Sequence, residues 1–240
     1  MSSPTGARLS AATLALSVGC SGTAPPPEAP PRPNILFLYA DDQGAWTLGS
    51  QGNTDVHTPA LDRIAREGVV MSNAFVTTPV CSPARASLLT SRYGSELGIT
   101  DYLQPERDAE RGLDPAAVTW PERLQAAGYE TALFGKWHVG AADRYHPTRT
   151  GYDVFAGWRH GAGISLDPVV EVDGRDQPMT GYTPDILADL AIDFLRRPRD
   201  APFLVSVHFW APHANTENRT PDGERRDHQT VPRGQDLVVA

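Results

Sequence analysis

Apolar positions along the 240-residue chain fall into short runs separated by polar clusters, and the runs differ in periodicity. After Pro33, Asn34-Ile35-Leu36-Phe37-Leu38-Tyr39-Ala40 is almost unbroken apolar, the pattern of a strand covered on both faces. It runs straight into Asp41-Asp42. Thr58-Pro59 is a helix-start signal, and residues 60–67 continue the helix to Gly68 as its cap. Residues 69–75 then predict a strand. In Val80-Cys81-Ser82-Pro83, Ser82 reads as an N-cap and Pro83 as the first helical residue, with 84–90 as the body. Thr119-Trp120-Pro121-Glu122 spells a capping box, and the helix it opens runs to Gly128.

Residues 130–135 predict the next strand, which delivers Lys136-Trp137-His138. Val169-Val170-Glu171-Val172 followed by Asp173-Gly174 predicts a peripheral hairpin. Thr183-Pro184 opens a helix whose Ile186, Leu187, Leu190, Ala191, Phe194 and Leu195 share one stripe. Residues 203–209 form a last buried strand, ending in Trp210-Ala211-Pro212-His213. Alternating strands and helices predict an α/β fold, a mainly parallel sheet flanked by helices on both faces. Ligands of such sheets bind beyond the carboxyl ends of the strands. Three strands here end in polar clusters: Asp41-Asp42, Lys136 with His138, and residues 208–213. The turn that carries Cys81 is expected at the same edge.

Composition narrows the function. With 29 acidic and 21 basic residues the net charge is −8, which argues against a nucleic-acid backbone binder but not against a small anionic substrate held locally. Residues 1–20 have the layout of a secretory signal: Arg8, a short apolar run from Leu9, then Gly19-Cys20. The run is too short to span a bilayer. Its end is similar to a bacterial lipoprotein box, with Ser17 where leucine is usual, so the chain is expected to be exported to the periplasm or cell surface and lipid-anchored at Cys20. An ordinary signal peptide or a disordered N-terminus is the alternative. Residues 21–32 are a proline-rich tether, 33–213 the folded domain, and 214–240 a polar tail. Cys20 and Cys81 lie on opposite sides of the tether, which disfavours a structural disulfide between them.

Some residues carry chemistry. Adjacent carboxylates after a buried strand suit a dication, and all-oxygen ligation favours calcium or magnesium over zinc; a plain polar turn is the other reading of Asp41-Asp42. A helix starting beside Cys81 points backbone N–H groups and partial positive charge at it, and Arg85 adds a full charge. Both stabilise a thiolate or an oxyanion at that position. The other reading is a small buried hydrophobe. The ordinary pKa of histidine permits acid–base work at His138 and His213; a hydrogen-bonded structural residue near a strand end is the other reading of each. His208, inside the last strand, reads as structural, as do Trp46, Trp120 and Trp137.

Cys81-Ser82-Pro83-Ala84-Arg85 resembles the Cys-x-Pro-x-Arg signature of the type I sulfatases, of the alkaline phosphatase-like superfamily. The resemblance extends over PNILFLYADD, HTPALDRIAREG, Gly135-Lys136-Trp137-His138 and Ala211-Pro212-His213, in family order. It implies that a formylglycine-generating maturation enzyme oxidises Cys81 to formylglycine, whose hydrate is the nucleophile. It further implies a divalent cation, Ca2+ or Mg2+, held by Asp41, Asp42 and the modified Cys81. Lys136 would bind sulfate oxygens and Arg85 would hold the diol and metal cluster. His213 would serve the leaving oxygen, and His138 would take the proton that releases sulfate. The implied substrate is a small-molecule or carbohydrate sulfate ester. Phosphonate or phosphate ester hydrolysis, known in the same superfamily, is an alternative. Family members carry further metal ligands and a second lysine after a later strand, and residues 214–240 offer neither. The chain is therefore expected to be the N-terminal portion of a sulfatase, with its last strand leaving a sheet edge uncovered. A catalytically inactive fragment that keeps the anion pocket is the remaining alternative.

Overall fold

The computed structural model describes residues 31–161 and 163–213. The expected leader, nearly all of the tether and the tail lie outside the described residues. In chain order the main elements are β1 (Ile35–Asp41), α1 (Pro59–Glu67), α2 (Cys81–Thr90), α3 (Trp120–Ala126), β2 (Glu130–Lys136) and β3 (Val154–Trp158). They are followed by β4 (Val169–Val172), β5 (Arg175–Pro178), α4 (Thr183–Leu195) and β6 (Phe203–Pro212).

The six strands form one sheet in the order β1-β6-β2-β3-β4-β5. The pairs β1–β6, β6–β2 and β2–β3 are parallel; β4 and β5 add the antiparallel hairpin, turned by Asp173 and Gly174 at positive φ. Alternation along the strands fills a separate core on each face. Leu133, Phe155 and Leu204 pack with Ala86 and Leu89 of α2 on one side. Ala132, Phe134, Val205 and Val207 pack with Leu187, Ala191 and Phe194 of α4 on the other. Each fully buried Leu, Val or Phe side chain contributes about 2 kcal/mol, so both layers are needed to hold the sheet. The expected α/β architecture and its two helical faces are present.

Local signals explain most element starts. The capping box at α3 is formed: Thr119 Oγ1 accepts from the Glu122 N–H, and the Glu122 carboxylate accepts the Thr119 N–H at 2.7 Å. Three expectations need correction. Residues 69–75 are not a strand but an exposed irregular segment, with Val69 85% and Phe75 89% exposed. The polar pair Ser72-Asn73 makes a turn that breaks the run in two. Helix α2 begins at Cys81 rather than Pro83, with Val80 as its N-cap, because the Ser82 hydroxyl is drawn away to accept the buried Leu103 N–H at 3.0 Å. The last strand leaves no open edge, since β6 lies between β1 and β2; the strands with one neighbour are β1 and β5.

Candidate active site

Four side chains from three elements converge beyond the carboxyl end of the parallel strands. Asp41 ends β1, Lys136 ends β2, and Cys81 and Arg85 lie one turn apart at the start of α2. Lys136 Nζ donates to Asp41 Oδ2 at 2.5 Å and lies 3.4 Å from Cys81 Sγ. Sγ in turn lies 3.9 Å from Asp41 Oδ1. The first turn of α2 leaves the N–H groups of Cys81 and Ser82 without intrahelical acceptors, which adds positive potential at the thiol.

Arg85 is 2% exposed, and the guanidinium is held by its surroundings. Nη1 donates to the Lys136 carbonyl at 2.7 Å and lies 3.3 Å from His208 Nδ1. The plane sits 5.0 Å from the centre of the Tyr39 ring. Nη2 lies 3.4 Å from Asp41 Oδ2, close enough for an ion pair but not aligned for a hydrogen bond. Burial pushes the Asp41 carboxyl up, but the charges of Arg85 and Lys136, the Lys136 hydrogen bond and the nearby His213 outweigh it. The net result is a carboxylate held below the usual range.

His138 follows β2 at a left-handed φ of 61° and is buried. Its Nε2 lies 2.9 Å from the Leu103 carbonyl, which only accepts, so Nε2 carries the proton and Nδ1 is a lone pair. That Nδ1 is buried without a partner. Burial first, then the charge of Lys136, depresses the pKa to about 3, so the ring is neutral at pH 7. Gly161 makes room for it: a Cβ there would lie 2.3 Å from His138 Cε1. A small cleft beside His138 is lined by Leu103, Gln104, Asp108, Arg159 and His160 among others.

The structure thus brings Asp41, Cys81, Arg85 and Lys136 together. His213 stacks on Trp210 with ring centres 5.9 Å apart and is near enough to Asp41 to act on its charge. Asp42 is exposed at φ 65°, and its carboxylate pairs with no other described residue. Among the described residues no three ligand-type side chains form a metal cluster. The donor chemistry of the adjacent Asp41 and Asp42 carboxylates nevertheless fits a hard divalent cation. His208, read from its strand as structural, lies 3.3 Å from Arg85 Nη1, a contact set by the parallel register with Tyr39 that a single strand does not reveal.

Comparison with known proteins agrees with this geometry. A family model described as Sulfatase matches residues 33–236. Steryl-sulfatase of Mus musculus is 39% identical over 180 residues, 68% of this chain and 29% of its own length. N-acetylglucosamine-6-O-sulfatase of Bacteroides thetaiotaomicron is 34% identical over 218 residues, 89% of this chain and 36% of its own. The chain therefore spans about a third of the length of these curated relatives. The solved structure of BT4656 in complex with its substrate D-glucosamine-2-N,6-O-disulfate superposes with a TM-score of 0.67 at 34% identity, over 77% of this chain and 35% of that one. The match starts at Pro33, just before the parallel sheet, and runs through every element that builds the site; this chain belongs to the sulfatase family.

Proposed function

We propose that the chain supplies the nucleophile, the anion-binding groups and the proton-transfer groups of a sulfate monoester hydrolase acting on a carbohydrate sulfate. The observation that carries this is the convergence of Asp41, Arg85 and Lys136 on Cys81 at the strand ends. Support for a carbohydrate comes from the N-acetylglucosamine-6-O-sulfatase and from the disulfated glucosamine bound by BT4656. Residue 81 acts as formylglycine, which supplies a hydroxyl nucleophile when hydrated. A divalent cation, Ca2+ or alternatively Mg2+, would be held by Asp41, Asp42 and the oxygen of residue 81 and would polarise the sulfate.

The protein's own groups do the rest. Lys136 offers N–H donors to sulfate oxygens in place of its present contact with Sγ, and the first turn of α2 adds backbone donors on the same side. Arg85 keeps Asp41 ionised. Neutral His138 receives a proton at its free Nδ1. His213 gives a proton to the departing alcohol oxygen. Export through residues 1–20, anchoring at Cys20 and maturation by a formylglycine-generating enzyme belong to the same proposal, supported by the leader layout and the CSPAR signature.

A second reading, an anion-binding fragment without turnover, is favoured by the lack of a three-ligand cluster among the described residues. Co-expression with a maturation enzyme and mass spectrometry of the Cys81 peptide separates the possibilities. The expected mass change replaces sulfur and two hydrogens by one oxygen. The matured chain is expected to hydrolyse N-acetylglucosamine 6-sulfate in preference to an aryl phosphonate, and Cys81→Ala reduces this to background. An unmodified thiol sinks the proposal, modification with sulfate binding but no turnover establishes the fragment reading, and preference for the phosphonate moves the activity within the superfamily.

A further inference from the structure

His208 has no part in the chemistry described above, yet it lies against the residue that orders the site. It sits in β6, in register with Tyr39 of β1 and Gly135 of β2, and is fully enclosed. Its ring meets Tyr39 edge-on at 5.4 Å and Phe37 at 6.0 Å. Nδ1 lies 3.3 Å from Arg85 Nη1 and 3.2 Å from the Lys136 carbonyl.

The orientation of Arg85 depends on this corner. Neither Nε nor Nη2 has a hydrogen-bond partner, so beside the Asp41 ion pair and the Tyr39 ring the directional contacts of the guanidinium are those of Nη1. Nη1 has two acceptors within reach, the Lys136 carbonyl and His208 Nδ1. Two neutral tautomers compete. A proton on Nδ1 would donate to the second lone pair of the Lys136 carbonyl, whose first accepts Arg85, and would face the guanidinium N–H groups in a site closed to water. A proton on Nε2 frees the Nδ1 lone pair for Arg85, at the cost of a buried N–H without an acceptor. The first arrangement sets donor against donor beside a full positive charge, and the second does not.

We propose that His208 is a positioning residue: its Nε2–H tautomer accepts the Arg85 Nη1 hydrogen bond at Nδ1 and so aims Nη2 at Asp41, beside residue 81. The low pKa of the enclosed ring, about 3, keeps it neutral for this role. The inference rests on Arg85 as a site residue, but its test needs no maturation, metal or turnover, so it stands or falls apart from sulfate hydrolysis.

Histidine labelled with 15N in the unmatured chain, read by long-range proton–nitrogen correlation, is expected to show His208 with Nε2 protonated and Nδ1 bare. The signal is assigned by its loss in His208→Asn. A proton on Nδ1 overturns the proposal. A second measurement follows alkylation of Cys81 by iodoacetamide at about pH 7.5, read at the peptide that carries it. His208→Leu keeps the bulk but not the acceptor, and is expected to slow alkylation at least about threefold as positive charge moves off the thiol. His208→Asn places an acceptor where Nδ1 was and is expected to restore the rate to within about twofold. Equal rates in all three proteins, or equal losses in both variants, would refute a positioning role.

Discussion

At His138 a single carbonyl decides which nitrogen is free, and the surrounding burial decides that the ring is neutral. His208 is enclosed in the same way, and both titrate at about 3 instead of 6.5. The unfolded chain therefore takes up their protons first as pH falls below about 6.5, so stability is lost from there down towards pH 3. The cost at pH 5 is about 2 kcal/mol for each ring. Asp41 works in the same direction at lower pH: its depressed pKa stabilises the fold above the ordinary carboxylate range, a contribution lost as pH falls through the folded value. Urea unfolding at pH 7 and pH 5 is expected to show a loss of about 4 kcal/mol, and His208→Asn should roughly halve it. A flat profile would contradict neutral burial. At this scale Asp41, Cys81, Arg85 and Lys136 were legible in the sequence, because strand ends and a helix start mark them. His208 was not, because a histidine within an apolar strand shows its partners only once β1 and β6 are in register.

Elements were legible wherever a cap or a periodic stripe bounded them. Thr119 to Glu122 placed the start of α3, and the stripe from Ile186 to Leu195 placed α4. The start of α2 shifted because Ser82 has a tertiary partner, Leu103, that no local pattern contains. Residues 69–75 have the composition of a strand, but strand formation needs a neighbour, and their central turn denies one. The pairing of β2 with β3 depends on another feature invisible in one strand: Gly135 and Gly157 are in register, and a Cβ on Gly157 would lie 1.9 Å from the Gly135 carbonyl oxygen. Backbone cannot give way there as a flexible side chain can. Gly157→Ala is therefore expected to separate the two strands and cost at least about 3 kcal/mol in chemical denaturation, with loss of the soluble folded form as the more severe result. A stability within about 0.5 kcal/mol of the parent would show that the strands do not approach so closely.

For the whole molecule, the sheet is covered on both faces but bounded at β1 and β5, and Leu36 of β1 is partly exposed. Helix α1 buries none of its residues, and Ile64, Val69, Met71 and Phe75 stand exposed in and after it. Exposed apolar surface and an open strand edge each favour self-association. Light scattering of the chain is expected to show concentration-dependent association that Met71→Lys with Phe75→Lys reduces; concentration-independent monomers would remove the argument.

One detail of α2 also sets a clock. Ser82, Pro83 and Arg85 are buried in the folded domain, and Cys81 is partly covered. Cys81 meets Asp41 and Lys136 across separations of 40 and 55 residues, and Arg85 meets Lys136 across 51, contacts that form late in a folding chain. An enzyme that grips the residues after Cys81 would thus have to reach them while the sheet is still unmade, so under the proposed maturation the fate of the thiol would be a race between modification and folding, decided before the site exists.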